Sequence, residues 1–304
     1  MTRFILRRLV LLMCVLATVS VITFVLLRVS GDPAVAMAGE GATAEDVAYV
    51  RREYGFDQPM PVQFVHWASR ALQGDLGVSK FLQQPVATIV LDRLPATLVL
   101  GFAALLVATV IAVPLGVIAA VRQGGPADQL AGLLAIVGQA MPTFWFALIL
   151  MAVFGAKLRW VPISGDQTWR HFILPATALA FYAIPSLMRL TRSGMLDVLG
   201  SDYIRTARAK GLSENKVVFK HALRNAVLPI VSLAAVQLGF MLGGSVVIEA
   251  IFSINGLGNL SWQSIKRADV EVMQAVVLVL SFIFVALNFL ADLLNALLDP
   301  RIRV

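Results

Sequence analysis

Residues 95–121 read PATLVLGFAALLVATVIAVPLGVIAAV, twenty-seven positions without a charged side chain. A hydrocarbon core of about 30 Å takes roughly 20 apolar helical residues to cross. The stretch is therefore read as a membrane span, Pro95–Val121. Five further uncharged blocks obey the same rule: Leu9–Leu27, Gln129–Ala156, Phe172–Met188, Asn225–Ile248 and Val272–Ala291. Phe172–Met188 is the shortest, and it extends to Leu190 if Arg189 snorkels to the interface. The expected architecture is an all-α membrane protein with six transmembrane helices in a single domain, residues 1–304.

Composition agrees with the blocks. Of 304 residues, 59% are hydrophobic and 14% charged, and mean hydropathy is +0.82. Soluble domains run nearer half apolar and a quarter charged. The net charge of +7 would raise the question of nucleic acid in a soluble chain. Here the basic residues flank spans and set orientation, so membrane lipid is the expected contact and nucleic acid is not. The single cysteine, Cys14, lies within the first block, which excludes an intrachain disulfide and a cysteine metal site. His66, His171 and His221 fall in separate loops and do not converge, so neither a metal centre nor a catalytic constellation is expected.

Arg3, Arg7 and Arg8 before the first block, with Ala36-Met37-Ala38 after it, have the outline of a secretory signal. The apolar block is longer than the 7–15 residues of a signal core, so an uncleaved first helix is expected. Orientation follows from lysine and arginine in short loops. With a cytoplasmic N-terminus, the inner segments carry Arg3, Arg7, Arg8, Arg122, Arg301, Arg303 and a basic loop with Arg189, Arg192, Arg205, Arg208, Lys210, Lys216, Lys220 and Arg224. The short outer loops carry only Lys157, Arg159, Arg170, Lys266 and Arg267. Both termini are placed in the cytoplasm. Pro95, Pro175 and Pro229 stand near the starts of their spans, where a missing N–H is harmless. Pro114, Pro142 and Pro185 lie inside spans and predict kinks.

Two loops exceed a simple turn. The outer segment, residues 28–94, opens with a turn at Gly31-Asp32-Pro33 and has amphipathic helices at Ala44–Tyr54, capped by Thr43, and at Pro61–Leu72, with Val62, Val65, Trp67 and Leu72 as apolar positions. It reads as a small cap over the outer face. The inner loop, residues 191–224, reads helix over Asp202–Lys210, with basic residues in its last turn to complement the helix dipole. Gly211 follows as a C-terminal cap. Ser213 is positioned to start a second short helix through Val218.

The string Thr206-Ala207-Arg208-Ala209-Lys210-Gly211 resembles the cytoplasmic signature of the permeases of binding-protein-dependent ABC importers, with the glutamate absent. Tyr203–Gly211 followed by His221-Ala222-Leu223-Arg224-Asn225 is similar to the dipeptide, oligopeptide and nickel branch. So are Gly31-Asp32-Pro33, Tyr54-Gly55-Phe56-Asp57-Gln58-Pro59, Gly74-Asp75-Leu76-Gly77 and Leu94-Pro95-Ala96-Thr97-Leu98. Leu190-Thr191-Arg192, Gly243–Glu249 and Leu298–Arg303 also fit. Dipeptide permeases of the B type are the nearest likeness, with the glutathione permease nearly as close. The family has Trp-Pro where Ile254-Asn255 stand before Gly256-Leu257-Gly258, which predicts a looser loop there.

The resemblance implies a type I importer permease fold in a bacterial inner membrane, with its loop as a coupling helix seated on an ATPase subunit. Ala207, Gly211, Leu212, Ser213 and Glu214 would couple ATPase motion to spans four and five. It also implies a second homologous permease, two ATPase subunits that bind ATP and magnesium, and an external substrate-binding protein. The chain itself has no Gly-x-x-x-x-Gly-Lys-Ser/Thr phosphate loop. Gln139, Gln237 and Asn288 are polar residues within spans and hence candidates for the pathway. Glu249 and Asp292 sit at span ends and are expected to pair with arginines. An ion-driven transporter would need charged residues at mid-span, and none occurs. A membrane enzyme would need clustered His, Asp or Glu.

Overall fold

Hydrocarbon offers backbone N–H and C=O groups no partner, so each uncharged block must close its own hydrogen bonds as a helix. The computed structural model of the protein describes residues 2–29, 31–39 and 41–298. Arg301, Arg303 and most of the terminal motif lie outside the described residues. Helices α1 (Thr2–Val29), α5 (Val86–Val121), α8 (Ile173–Leu199), α10 (Leu223–Phe252) and α12 (Val270–Leu298) contain segments long and apolar enough to cross a membrane. Helices α6 (Pro126–Ala140) and α7 (Thr143–Leu150), the latter prolonged by a π-helical stretch, Met151–Lys157, are together long and apolar enough to count as a sixth crossing if the bent pair is one span. Short helices α2 (Pro33–Ala38), α3 (Ala44–Glu53) and α4 (Met60–Leu72) precede α5. Helix α9 (Asp202–Ala209) joins α8 to α10, and α11 (Leu257–Lys266) joins α10 to α12. No strand occurs among the described residues.

Three expectations about the spans change. Gln129–Ala156 is not one straight helix, because α6 and α7 bend by 102° at Met141–Pro142. Pro142 caps α7, and Met141 before it takes an extended conformation (ψ 124°), as the proline ring requires of its predecessor. Pro95 and Pro229 lie inside α5 and α10 rather than at their starts, while Pro175 is the third residue of α8 and fits the expectation. The cause is that hydropathy marks where charge begins, not where a helix begins. At 36 residues α5 is about 54 Å long, so its first turns, with Asp92 and Arg93, stand clear of a core of about 30 Å.

The cap helices form nearly as read. Thr43 and Asp46 make a reciprocal capping box at the start of α3. Asp32 accepts from Ala34 N at 2.9 Å, so Gly31-Asp32-Pro33 opens a short helix rather than a bare turn. Of the four expected apolar positions on α4, only Trp67 faces inward. Phe64 and Trp67 pack on Phe24 of α1 at ring separations of 5.3 and 5.9 Å, whereas Val62, Val65 and Leu72 are exposed.

The centre of the bundle is α5 against α8. Ala104, Ala108 and Ala112 of α5 are fully buried, as are Ala178, Ala180 and Ala183 of α8. Without a hydrophobic force between helices in lipid, such small residues gain stability by letting backbones approach closely. Helix α10 packs on both, and α12 on α10. Helix α1 stands at the edge, touching chiefly α12. Arg8 and Asp292 join the two at 2.8 Å, as expected for Asp292.

Asp128, at the start of α6, receives Arg192 of α8 in a two-pronged pair, Nε at 2.6 Å and Nη2 at 2.8 Å, and also accepts from Gly124 N. Arg192→Ala is expected to lower the melting temperature of the purified complex, because Asp128 loses both prongs of the pair. Arg192→Lys, which keeps charge but not the fork, should fall between.

Candidate functional site

The inner loop is built from a short helix with one apolar face. Ser201 takes the extended conformation of an N-cap residue, and Asp202 and Arg208 lie in the first and last turns, each complementing the helix dipole. Ile204 and Ala207, three residues apart, point the same way. They are buried among Val117 and Ala120 of α5, Met195 of α8, and Val217, Val218 and Ala226. The loop is thus bolted to the inner ends of three spans.

Gly211 has φ +75°, a conformation nearly barred to residues with a Cβ. Leu212 N donates to Ala207 O at 3.4 Å and Gly211 N to Arg208 O at 2.9 Å, the paired bonds of a Schellman cap. Of the five coupling candidates, Ala207 and Leu212 face inward, Gly211 makes the turn, and Ser213 and Glu214 are outside. Ser213 O accepts from Val217 N at 3.0 Å, starting the second helical segment where expected. That segment is not a separate α-helix. It becomes a π-helical stretch, Lys216–Ala222, continuous with α10. Sequence reading missed two features. Asn225 donates to Tyr203 Oη at 2.6 Å, tying α9 to α10, and Phe219 is 62% exposed beside Lys216 and Lys220.

Arg208 donates to Glu214 through Nε (2.8 Å) and Nη2 (3.3 Å), closing the loop across its turn. These bonds hold the exposed Glu214 carboxyl below its ordinary range. A lowered folded-state pKa means the contribution is present above the unfolded value, about 4.3, and is lost as pH falls through the folded one. Acidification through that lowered folded-state value is therefore expected to open the pair. A spin label at Ser213 should gain mobility there, and in Glu214→Gln should be mobile at neutral pH already.

A second cluster closes the opposite end of α10. Glu249 is fully buried. Its carboxylate accepts from Thr97 Oγ1 of α5 (2.8 Å), Ser245 Oγ (2.9 Å) and Asn259 N of α11 (2.9 Å). Thr97 Oγ1 accepts in turn from Leu257 N at 2.8 Å. The expected arginine partner is replaced by two hydroxyls and a backbone amide. A Cβ on Gly256 would lie 2.3 Å from Glu249 Oε2, so only glycine lets the turn sit this close. The turn is also not looser for lacking Trp-Pro. Ile254 is fully buried, its N–H donates to Glu249 O, and Asn255 bridges Arg93 Nη1 (2.7 Å) and Asp166 Oδ2 (3.0 Å).

The polar candidates within spans do not converge. Gln139 is exposed and accepts from Arg189 at 2.9 Å. Asn288 donates to Phe284 O on its own helix and lines a groove between α1 and α12. Gln237 is buried in α10, one turn before Met241, which lines a groove of about 420 Å3 with Phe240, Gly243, Gly244, Tyr182 and Phe284.

The family described as binding-protein-dependent transport system inner membrane component matches residues 112–304, and its N-terminal counterpart matches residues 1–101. The glutathione transport system permease protein GsiC of Salmonella typhimurium is 40% identical over 304 residues, covering 100% of this chain and 99% of the relative. A probable peptide ABC transporter permease, y4tP of Sinorhizobium fredii, is 40% identical with 99% of each chain covered. Among solved structures, the inward-facing MetNI methionine transporter has a TM-score of 0.59 at 19% identity, covering 69% of this chain and 96% of that one. An amino acid ABC transporter gives a TM-score of 0.51 at 18% identity, covering 69% and 94%. The chain therefore belongs to the inner membrane components of binding-protein-dependent transport systems, as a permease subunit of an ABC importer.

Proposed function

We propose that this permease imports short peptides, glutathione included, and acts as a transport subunit without chemistry of its own. The reading of the cargo rests on the full-length similarity at 40% identity to a glutathione permease and a peptide permease. ATP and magnesium are held by two partner ATPase subunits, since the chain carries no phosphate loop. An external binding protein delivers the substrate to the cap, residues 28–94, and a second, homologous permease completes the pathway. The groove at Met241 supports the last point, being largely apolar, bordered by Gly243 and Gly244, and open along one face of α10. Gln139 and Asn288 add nothing to the pathway assignment, the first being tied to Arg189 and the second facing α1.

The observation that carries the mechanism is the loop at residues 191–224. Ala207, Gly211 and Leu212 fix a rigid corner packed on α5, α8 and α10, and Ser213 and Glu214 lie on its outer surface. A partner that grips this corner moves three spans together, so closure of the ATPase pair on ATP biases the bundle between two states. The test is purification of the tagged chain in mild detergent, identification of co-purifying subunits, and uptake by the reconstituted complex of a labelled dipeptide, a tripeptide and glutathione. Recovery of a second permease, ATPases and a binding protein, with ATP-dependent peptide uptake, is the expected result. An intact complex that moves none of the three cargoes would overturn the peptide assignment alone.

A further inference from the structure

Away from both clusters, a small cavity lies where the end of α1, the 28–94 segment and the start of α12 meet. Arg28, Trp67, Lys80, Asp269, Glu271 and Gln274 are among the residues around it. Its volume is about 30 Å3, room for one water-sized species and too small for a peptide or sugar. Arg28 Nη1 and Gln274 Nε2, on two residues that line this cavity, are buried without a hydrogen-bond partner among the described residues, and Gln274 is only 3% exposed. The rest of the Arg28 side chain is firmly held. Its Nε donates to Gln63 Oε1 at 2.9 Å, and its guanidinium lies 3.4 Å over the Phe24 ring. Asp269 is likewise engaged, accepting from Ser79 Oγ at 2.6 Å.

Two fixed donors aimed into one small space call for a single acceptor, because burying a donor without a partner forfeits its hydration. Charge selects the acceptor. Arg28 and Lys80 are matched by Asp269 and Glu271, so the surroundings are formally neutral and give an anion no excess of positive charge. We propose that the cavity is a binding site for one ordered water molecule, which accepts from Arg28 Nη1 and Gln274 Nε2 and donates to Glu271. That water joins the end of α1 to the start of α12 at one point beneath the 28–94 segment, and the inference is independent of the cargo and of the coupling loop.

The test begins with crystals of the assembled complex at a resolution that shows ordered water, with a parallel bromide soak. A single peak within about 2.7–3.2 Å of both nitrogens, without anomalous bromide signal, is the expected result. No peak, or a bromide signal at the site, overturns the proposal. Gln274→Leu gives an independent reading through the sign of its effect. With a bridging water, the variant strands Arg28 and lowers the melting temperature of the complex by about 2 °C or more. In a dry cavity the same change removes an unpaired donor, and a melting temperature that stays level or rises overturns the proposal. Should the variant fail to assemble, the map of the parent complex decides alone.

Discussion

In Gly211→Val, ATP-driven uptake is expected to fall about tenfold or more, with the assembled complex still recovered in normal yield. The argument turns on where the cost arises. A Cβ built on Gly211 meets nothing within 4 Å, so the substitution creates no clash and leaves the apolar anchors of the loop in place. What it penalises is the backbone. At φ +75° a residue with a side chain is strained by about 1–2 kcal/mol, and a β-branched one by more. Relaxing that strain means breaking the bonds from Leu212 N to Ala207 O and from Gly211 N to Arg208 O, which turns the corner outward. A difference of about 1.4 kcal/mol is a tenfold shift between two states, so the corner would spend most of its time misdirected. The series orders itself: Asn, which tolerates this conformation, should approach the parent, Ala should be intermediate, and Val should be worst. Uptake and ATP hydrolysis by each variant in proteoliposomes measure it. Val and Asn transporting equally would remove Gly211 from the coupling assignment.

Glu249→Ala should be the most destabilising single change at the other end of α10. The carboxylate is the common acceptor for Thr97, Ser245 and the Asn259 amide; its loss leaves the Thr97 hydroxyl and the Asn259 amide unpaired, while Ser245 can still donate to Leu242 O at 2.9 Å. Each orphaned donor costs about 1–3 kcal/mol, and since neighbouring losses do not simply add, about 3 kcal/mol or more is expected for the set. Glu249→Gln keeps one acceptor oxygen but turns an NH2 group toward donors, so it should lie between. Melting temperature and subunit recovery of the three complexes provide the comparison. A Glu249→Ala complex that melts with the parent would show that the clamp carries no load.

Much of the architecture is legible in residue order because hydrocarbon leaves the backbone one choice. Uncharged blocks became helices, Thr43 became a cap, and Gly211 took the left-handed conformation its place after a basic last turn demanded. Helix ends were legible only where the helix stops at the membrane. Where α5 continues past it, Asp92 and Arg93 hid the true start at Val86. The break at Met141–Pro142 was visible as a proline but not as a bend of 102°, since a proline within a span can equally be absorbed as a mild kink. The Glu249 cluster was the least legible part. Its members come from three separate stretches, Leu94–Leu98, Gly243–Glu249 and Gly256–Asn259, and a linear reading gives no reason to superimpose them. A carboxylate near a span end suggests an arginine by charge alone. Here hydrogen-bond donors take that place, including a backbone amide that carries no sequence signal.

The position of α1 has a consequence for how the protein is made. Helix α1 leaves the ribosome before the other described helices and finds its main partner, α12, only after all those between them, and only 6% of its most apolar stretch is buried. Each helix is stable in the bilayer alone and associates afterwards. Until α12 is made, then, α1 waits at the periphery as an independent anchor, and the Arg8–Asp292 contact is a closing step that joins two helices far apart in the sequence. A polypeptide lacking α1 should retain the α5–α8–α10 centre, and α1 synthesised as a separate chain should be able to dock and complete it.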